Sequence, residues 1–124
     1  MLCVLRFNKM NFKIEMLSKA IKERRLVKFV YEGGIRIVEP FTLGVIRKSN
    51  KLSISAYIID GFRKSKNPSP WRLYHLNKIT QLEILEFEAE CYREGYKESD
   101  SRMSEIICEV KSRIAGRVLA IVTD

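Results

Sequence analysis

The sequence predicts a mainly β domain with flanking helices: a small five-stranded barrel behind one N-terminal α-helix, with a C-terminal helical extension. Three observations lead there. Residues 27–40, VKFVYEGGIRIVEP, are two alternating runs joined by Gly33-Gly34 and stopped by Pro40. Strand character resumes at 41–47, and further short runs at 52–59, 71–76 and 80–88 follow, joined mostly by tight turns. Helical spacing of apolar residues occurs only on either side of this block. So short a sheet hides its edges by closing on itself.

At 124 residues the chain has room for one domain with a core large enough to fold without staples. It divides into an N-terminal arm (1–10), the barrel with its helix (11–88), and an acidic connector followed by a helix and strand extension (89–124). No apolar run reaches the roughly 18 residues of a membrane span, and Arg6 interrupts the first seven residues, too short a stretch for a secretory segment. A soluble, cytoplasmic protein with no membrane partner is expected. Cys3, Cys91 and Cys108 are an odd number without CxxC spacing, which argues for reduced thiols and against a disulfide framework or zinc site. With His75 the lone histidine, no nucleophile–base pair or metal set can be assembled. Neither catalysis nor a cofactor is expected.

Charge is unevenly placed. Up to residue 82 there are 17 Lys and Arg against 5 Asp and Glu; from Glu83 onward there are 6 against 10. A basic body thus carries an acidic tail, which favours polyanion affinity and fast association without bearing on the fold. A solvated basic surface is the plainer explanation.

Taken in order, Leu2, Val4 and Phe7 make a brief alternation that reads as an edge strand or a frayed end. From Asn11, a candidate N-cap, Ile14, Leu17, Ala20 and Ile21 share one helical face. Lys22, Arg24 and Arg25 suit the negative end of that helix. Val27, Phe29 and Tyr31 then alternate with Lys28 and Val30, Gly33-Gly34 supplies a two-residue hairpin, and the return strand is 35–39. Pro40 cannot donate to a ladder, so the chain must bend or leave the sheet there. After a turn at 48–50, Leu52, Ile54, Ala56 and Ile58 oppose Ser53, Ser55, Tyr57 and Ile59, a core face against a small polar one. Residues 60–70 are a loop with Arg63, Lys64 and Lys66. In the last strand Leu82 and Ile84 face opposite to Leu85 and Phe87, which suggests a bulge or burial on both sides. Met103, Ile106, Ile107, Val110 and Ile114 fit a helix capped at Ser99 or Asp100 and stopped at Gly116; a short Val/Ile-rich run follows at 117–123.

Four segments, in order, resemble the WYL domain, a ligand-sensing module of bacterial transcriptional regulators and phage-defence proteins: AIKERRLVKFVY (20–31), RIVEPFTLG (36–44), SAY (55–57) and WRLYHLNKITQLEIL (71–85). They cover about half the chain. YKESDSRMSEI (96–106) is similar to the tail of short stand-alone members that lack a DNA-binding domain. The resemblance implies an Sm-like, SH3-type barrel. The letters that name the family fall at Leu52, Ser53 and Ile54, without its aromatic pair, and a family arginine is here Lys78, which keeps the charge without the bidentate fork.

On such a barrel Arg36, Arg72 and Lys78, near Tyr31, Ser53 and Tyr57, would cradle a phosphate, with rings available to stack a base. The structural alternative is that Arg36 pairs with Glu39 or neighbours, and that Tyr31 is a core residue with its hydroxyl at the surface. His75 reads as a packed or half-exposed strand residue, and Trp71 as a loop anchor. The resulting expectation is a stand-alone WYL-type sensor or adaptor that binds a nucleotide or short single-stranded nucleic acid on its basic face. It would act in transcriptional or phage-defence regulation through a protein partner or a homo-oligomer. The ten or so residues before the first helix leave no room for a helix-turn-helix. The alternative is an Sm-like module that holds single strands directly, without sensing.

Overall fold

The computed structural model describes residues 9–61, 68–88 and 93–111. One helix, α1 (Lys9–Glu23), precedes six strands: β1 (Arg25–Tyr31), β2 (Gly34–Ile46), β3 (Leu52–Gly61), β4 (Trp71–His75), β5 (Thr80–Glu88) and β6 (Met103–Glu109). A 3-10 turn, Leu76–Lys78, links β4 to β5. The ladders are antiparallel and run β4-β3-β2-β1-β5, with β6 added to β2. This is an open sheet rather than the closed barrel expected, since β4 and β5 end the path without pairing to each other. Among the described residues no helix is long and apolar enough to cross a membrane.

The helix forms where apolar residues recur every three or four positions, burying Leu17, Ala20 and Ile21 against the sheet. It is already running at Lys9, so Asn11 lies inside it and is not its cap. Arg24 ends it in the left-handed region (φ 58°), its N–H donating to the Ile21 carbonyl at 3.3 Å. Lys13 ties the helix to the 3-10 turn through the Leu76 carbonyl at 2.8 Å.

The β1–β2 hairpin turns at Glu32-Gly33, with φ of 51° and 82°, one residue earlier than the glycine pair suggested. Gly34 instead pairs with Tyr31, and this register sets Arg36 opposite Phe29, where its guanidinium reaches the Tyr31 carbonyl. β2 does not stop at Pro40. It is bulged between Pro40 and Thr42 against β3, and there its other edge passes from β1, paired through Val38, to β6, paired from Thr42. The residue without an N–H thus sits between two partners. β5 is likewise irregular against β1, with Gln81 at φ 54°.

The helix expected from Ser101 is instead strand β6 over Met103–Glu109. Its 3,4 apolar spacing is overridden by pairing with the edge of β2 that β1 vacates. The arm up to residue 8, the cationic stretch 62–67 and the run at 117–123 lie outside the described residues. The core packs under α1, with Val27 and Phe29 from β1, Ile54 from β3, and Tyr74 and Leu76 among its fully enclosed residues.

Candidate anion-binding site

At the hairpin end of the sheet, three tyrosine and arginine side chains interlock. Tyr31 and Tyr74 meet edge to face at 4.8 Å between ring centroids, and Phe29 packs on both. Arg36, 5 % exposed, places its guanidinium carbon 5.6 Å from the Tyr31 ring and 5.9 Å from the Tyr74 ring, and donates to the Tyr31 carbonyl at 2.9 Å. Burial pushes both phenols above their ordinary range, with the nearby guanidinium opposing it. The Arg72 charge also acts on Tyr74, while the Arg72 side chain donates to the carbonyls of Ser69 and Trp71.

β4 joins this cluster to the opposite face. The His75 N–H donates to the Tyr31 hydroxyl at 3.1 Å, and the His75 ring meets Ser53, its partner on β3, through Nδ1 at 2.7 Å. Ser53 is fully buried. Lys51 and Lys78 both act on the ring and, after burial, hold its pKa below the usual histidine range. Lys78 also stands 4.0 Å from Glu32 at the hairpin tip.

Of the six predicted site residues, the structure gathers Tyr31, Arg36, Ser53, Arg72 and Lys78 around Tyr74 and His75. Tyr57 stands apart, its ring edge-on to Trp71 at 5.3 Å and under Arg93 at 4.6 Å. Nor does Arg36 pair with Glu39, which faces the other way. Glu39 is 1 % exposed and accepts from Arg24 and Arg93, each at 2.8 Å. Burial raises the Glu39 pKa, opposed by those two arginines.

No family model, curated protein or solved structure matches this chain.

Sequence reasoning left two groups out of the site. Lys51 and His75 belong beside the predicted residues because β3 and β4 pair Ser53 with His75; the signal was a lone histidine on an alternating strand, which is weak. The Arg24–Glu39–Arg93 cluster joins positions far apart in sequence, and only the apolar surroundings of Glu39 hinted at it. Trp71 anchors a different segment from the one expected: its indole N–H donates to the Glu94 carbonyl at 2.9 Å, and its ring stacks with Tyr96. Among the described residues no group of three or more His, Cys, Asp or Glu is placed to hold a metal ion.

Proposed function

We propose that this protein is a WYL-type sensor or adaptor that binds a nucleotide or short single-stranded nucleic acid at the hairpin end of its sheet. One observation carries the reading. Arg36 acts on Tyr31 and Tyr74, Arg72 on Tyr74, and Lys51 and Lys78 on His75, whose N–H joins it to the Tyr31 hydroxyl, while the only carboxylate among the charges acting on these three residues is Glu32. Fixed guanidinium and ammonium donors beside serine and tyrosine hydroxyls are the chemistry that holds a phosphate. The buried placement of Arg36 and Ser53 on strands makes their positions rigid, as a selective site requires. Occupancy would then be relayed through protein contacts in transcriptional or defence regulation, in keeping with the resemblance over 20–85.

Titration of adenosine monophosphate and a dT12 oligonucleotide at two salt concentrations tests this. Saturable one-to-one binding that is weakened at least tenfold by Arg72→Ala supports a sensor. Steep salt dependence without preference for length or base marks the simpler single-strand module. Arg36→Ala is read alongside its melting curve, because that side chain also packs the Tyr31–Tyr74 pair.

A further inference from the structure

The ring of His75 is held in a single orientation. The single hydroxyl proton of Ser53 can go to the Lys51 carbonyl, at 3.2 Å, or to His75 Nδ1, at 2.7 Å. In a protonated His75 both ring nitrogens are donors, so Nδ1 then donates to Ser53 Oγ and the serine to the Lys51 carbonyl. Protonation thus leaves an N–H at Nε2, on the edge of the ring away from Ser53. That nitrogen has no hydrogen-bond partner among the described residues, and the side chain is half-exposed.

The groups facing the ring come from three elements. Ser53 on β3 meets the ring and is neutral, as is the Tyr31 hydroxyl on β1, which accepts from the His75 backbone N–H beside it. Lys51, before β3, and Lys78, in the 3-10 turn, are cationic, and no carboxylate acts on the ring. Glu32 meets Lys78 instead. In the empty protein a protonated His75 would be a third positive charge beside two lysines. A phosphate placed among them reverses the sign of that field.

We propose that His75 is a proton-coupled phosphate contact: when a phosphate settles beside Lys51 and Lys78, the imidazole takes a proton from solvent and its Nε2–H donates a hydrogen bond to a phosphate oxygen. The step is a protonation only, imidazole to imidazolium, with no change of redox state. It rests on the anion-binding reading above. Affinity then rises as pH falls, by at most about tenfold per pH unit, because one proton is taken up per ligand bound.

The experiment is calorimetry of dT12 and adenosine monophosphate binding between pH 5.5 and 8, in paired buffers of different ionisation enthalpy, on wild type and His75→Gln. The His75 Cε1–H resonance, unique because the chain has one histidine, is followed in parallel. Expected are proton uptake that grows toward pH 6, a histidine titration displaced upward in the complex, and a His75→Gln protein whose affinity no longer depends on pH in this range. Binding without proton uptake, or a His75 resonance unmoved at saturation, overturns the proposal and leaves the anion site standing. Failure of both probes to bind at any pH overturns the two together. The wild-type resonance decides the matter even if His75→Gln does not fold.

Discussion

Arg93 Nε meets Glu39 Oε1 at 2.8 Å across 54 residues of sequence, and the carboxylate it meets is almost wholly enclosed. The other carboxylate oxygen is taken by Arg24, also at 2.8 Å. Each arginine lies against an aromatic ring, Arg24 on Phe41 and Arg93 on Tyr57. This clip holds the segment after β5 down beside Trp71.

Removing the carboxylate leaves two facing guanidinium groups without their shared counter-charge. Glu39→Ala is therefore expected to lose about 3 kcal/mol of stability. Arg93→Ala should lose only about 1 kcal/mol, since Arg24 remains and Arg93 is partly solvated. Urea unfolding followed by the fluorescence of Trp71, the only tryptophan, measures both. In Arg93→Ala the emission should also shift to the red before unfolding, as the indole gains water. A Glu39→Ala protein as stable as wild type contradicts the clip.

At Gly44 the paired strand β6 leaves no room for a side chain on β2. A Cβ there would run into the Glu105 carbonyl and stand 2.7 Å from the Met103 sulfur. The sulfur sits on a side chain and can yield; the carbonyl belongs to the paired strand and cannot. Gly44→Ala should cost about 2–4 kcal/mol or release β6. Hydrogen exchange distinguishes these outcomes: loss of protection confined to 44–46 and 103–109 means release. Unchanged protection and stability would place β6 elsewhere.

These two contacts mark the limit of what could be read beforehand. The period of two in β1 and β3 is local, so their core faces were legible, as was the irregularity that Pro40 brings. The strand β6 was not, because Met103, Ile106, Ile107 and Val110 satisfy helical spacing and only the bare backbone at Gly44 lets a strand approach. The closed barrel failed for a related reason: local alternation gives strands but does not say whether the first and last will meet. At the site, Tyr31 and Arg36 share one hairpin and could be placed together. Ser53 and His75 meet through the β3–β4 register, across a long connection whose geometry leaves no pattern in the sequence. Tyr57 stands apart from the other five because sharing a face with Ser53 does not put it at the same end of the strand.

Stability should fall on mild acidification because of His75. Its folded pKa lies below the ordinary value, through burial and then Lys51 and Lys78, so the unfolded chain binds the proton more readily. The contribution is fully present above the unfolded pKa, roughly 6.5, and is lost as pH falls through the folded value. Melting temperature without ligand should therefore decline below about pH 6.5. In His75→Gln that part of the decline should vanish, whereas Asp100, whose pKa is lowered by hydrogen bonds from Arg102, produces a separate loss at more acid pH in both proteins. Identical pH profiles for wild type and His75→Gln would mean that the histidine is as free to protonate folded as unfolded.

The hairpin tip couples stability to ligand affinity in a way one substitution can separate. Glu32 and Gly33 both hold positive φ, the type I′ pattern that Asn-Gly fits best, and a glutamate carries its side chain there against preference. Glu32→Asn should stabilise by about 0.5–1 kcal/mol. The ion pair it removes, Glu32 to Lys78 at 4.0 Å between side chains that are 36 % and 51 % exposed, contributes little to the fold. Its effect on the field is larger, because Glu32 stands beside Lys78 and opposes Arg36 at Tyr31. Binding of dT12 should therefore tighten by about two- to fivefold at low ionic strength and return toward wild type as salt screens the difference. Gly33→Ala provides the contrast: it strains the turn by about 1 kcal/mol and leaves the charge unchanged, so stability should drop with no salt-dependent change in affinity. If Glu32→Asn melts higher but binds dT12 as wild type does at every salt concentration, the hairpin end of the sheet is not where the anion sits.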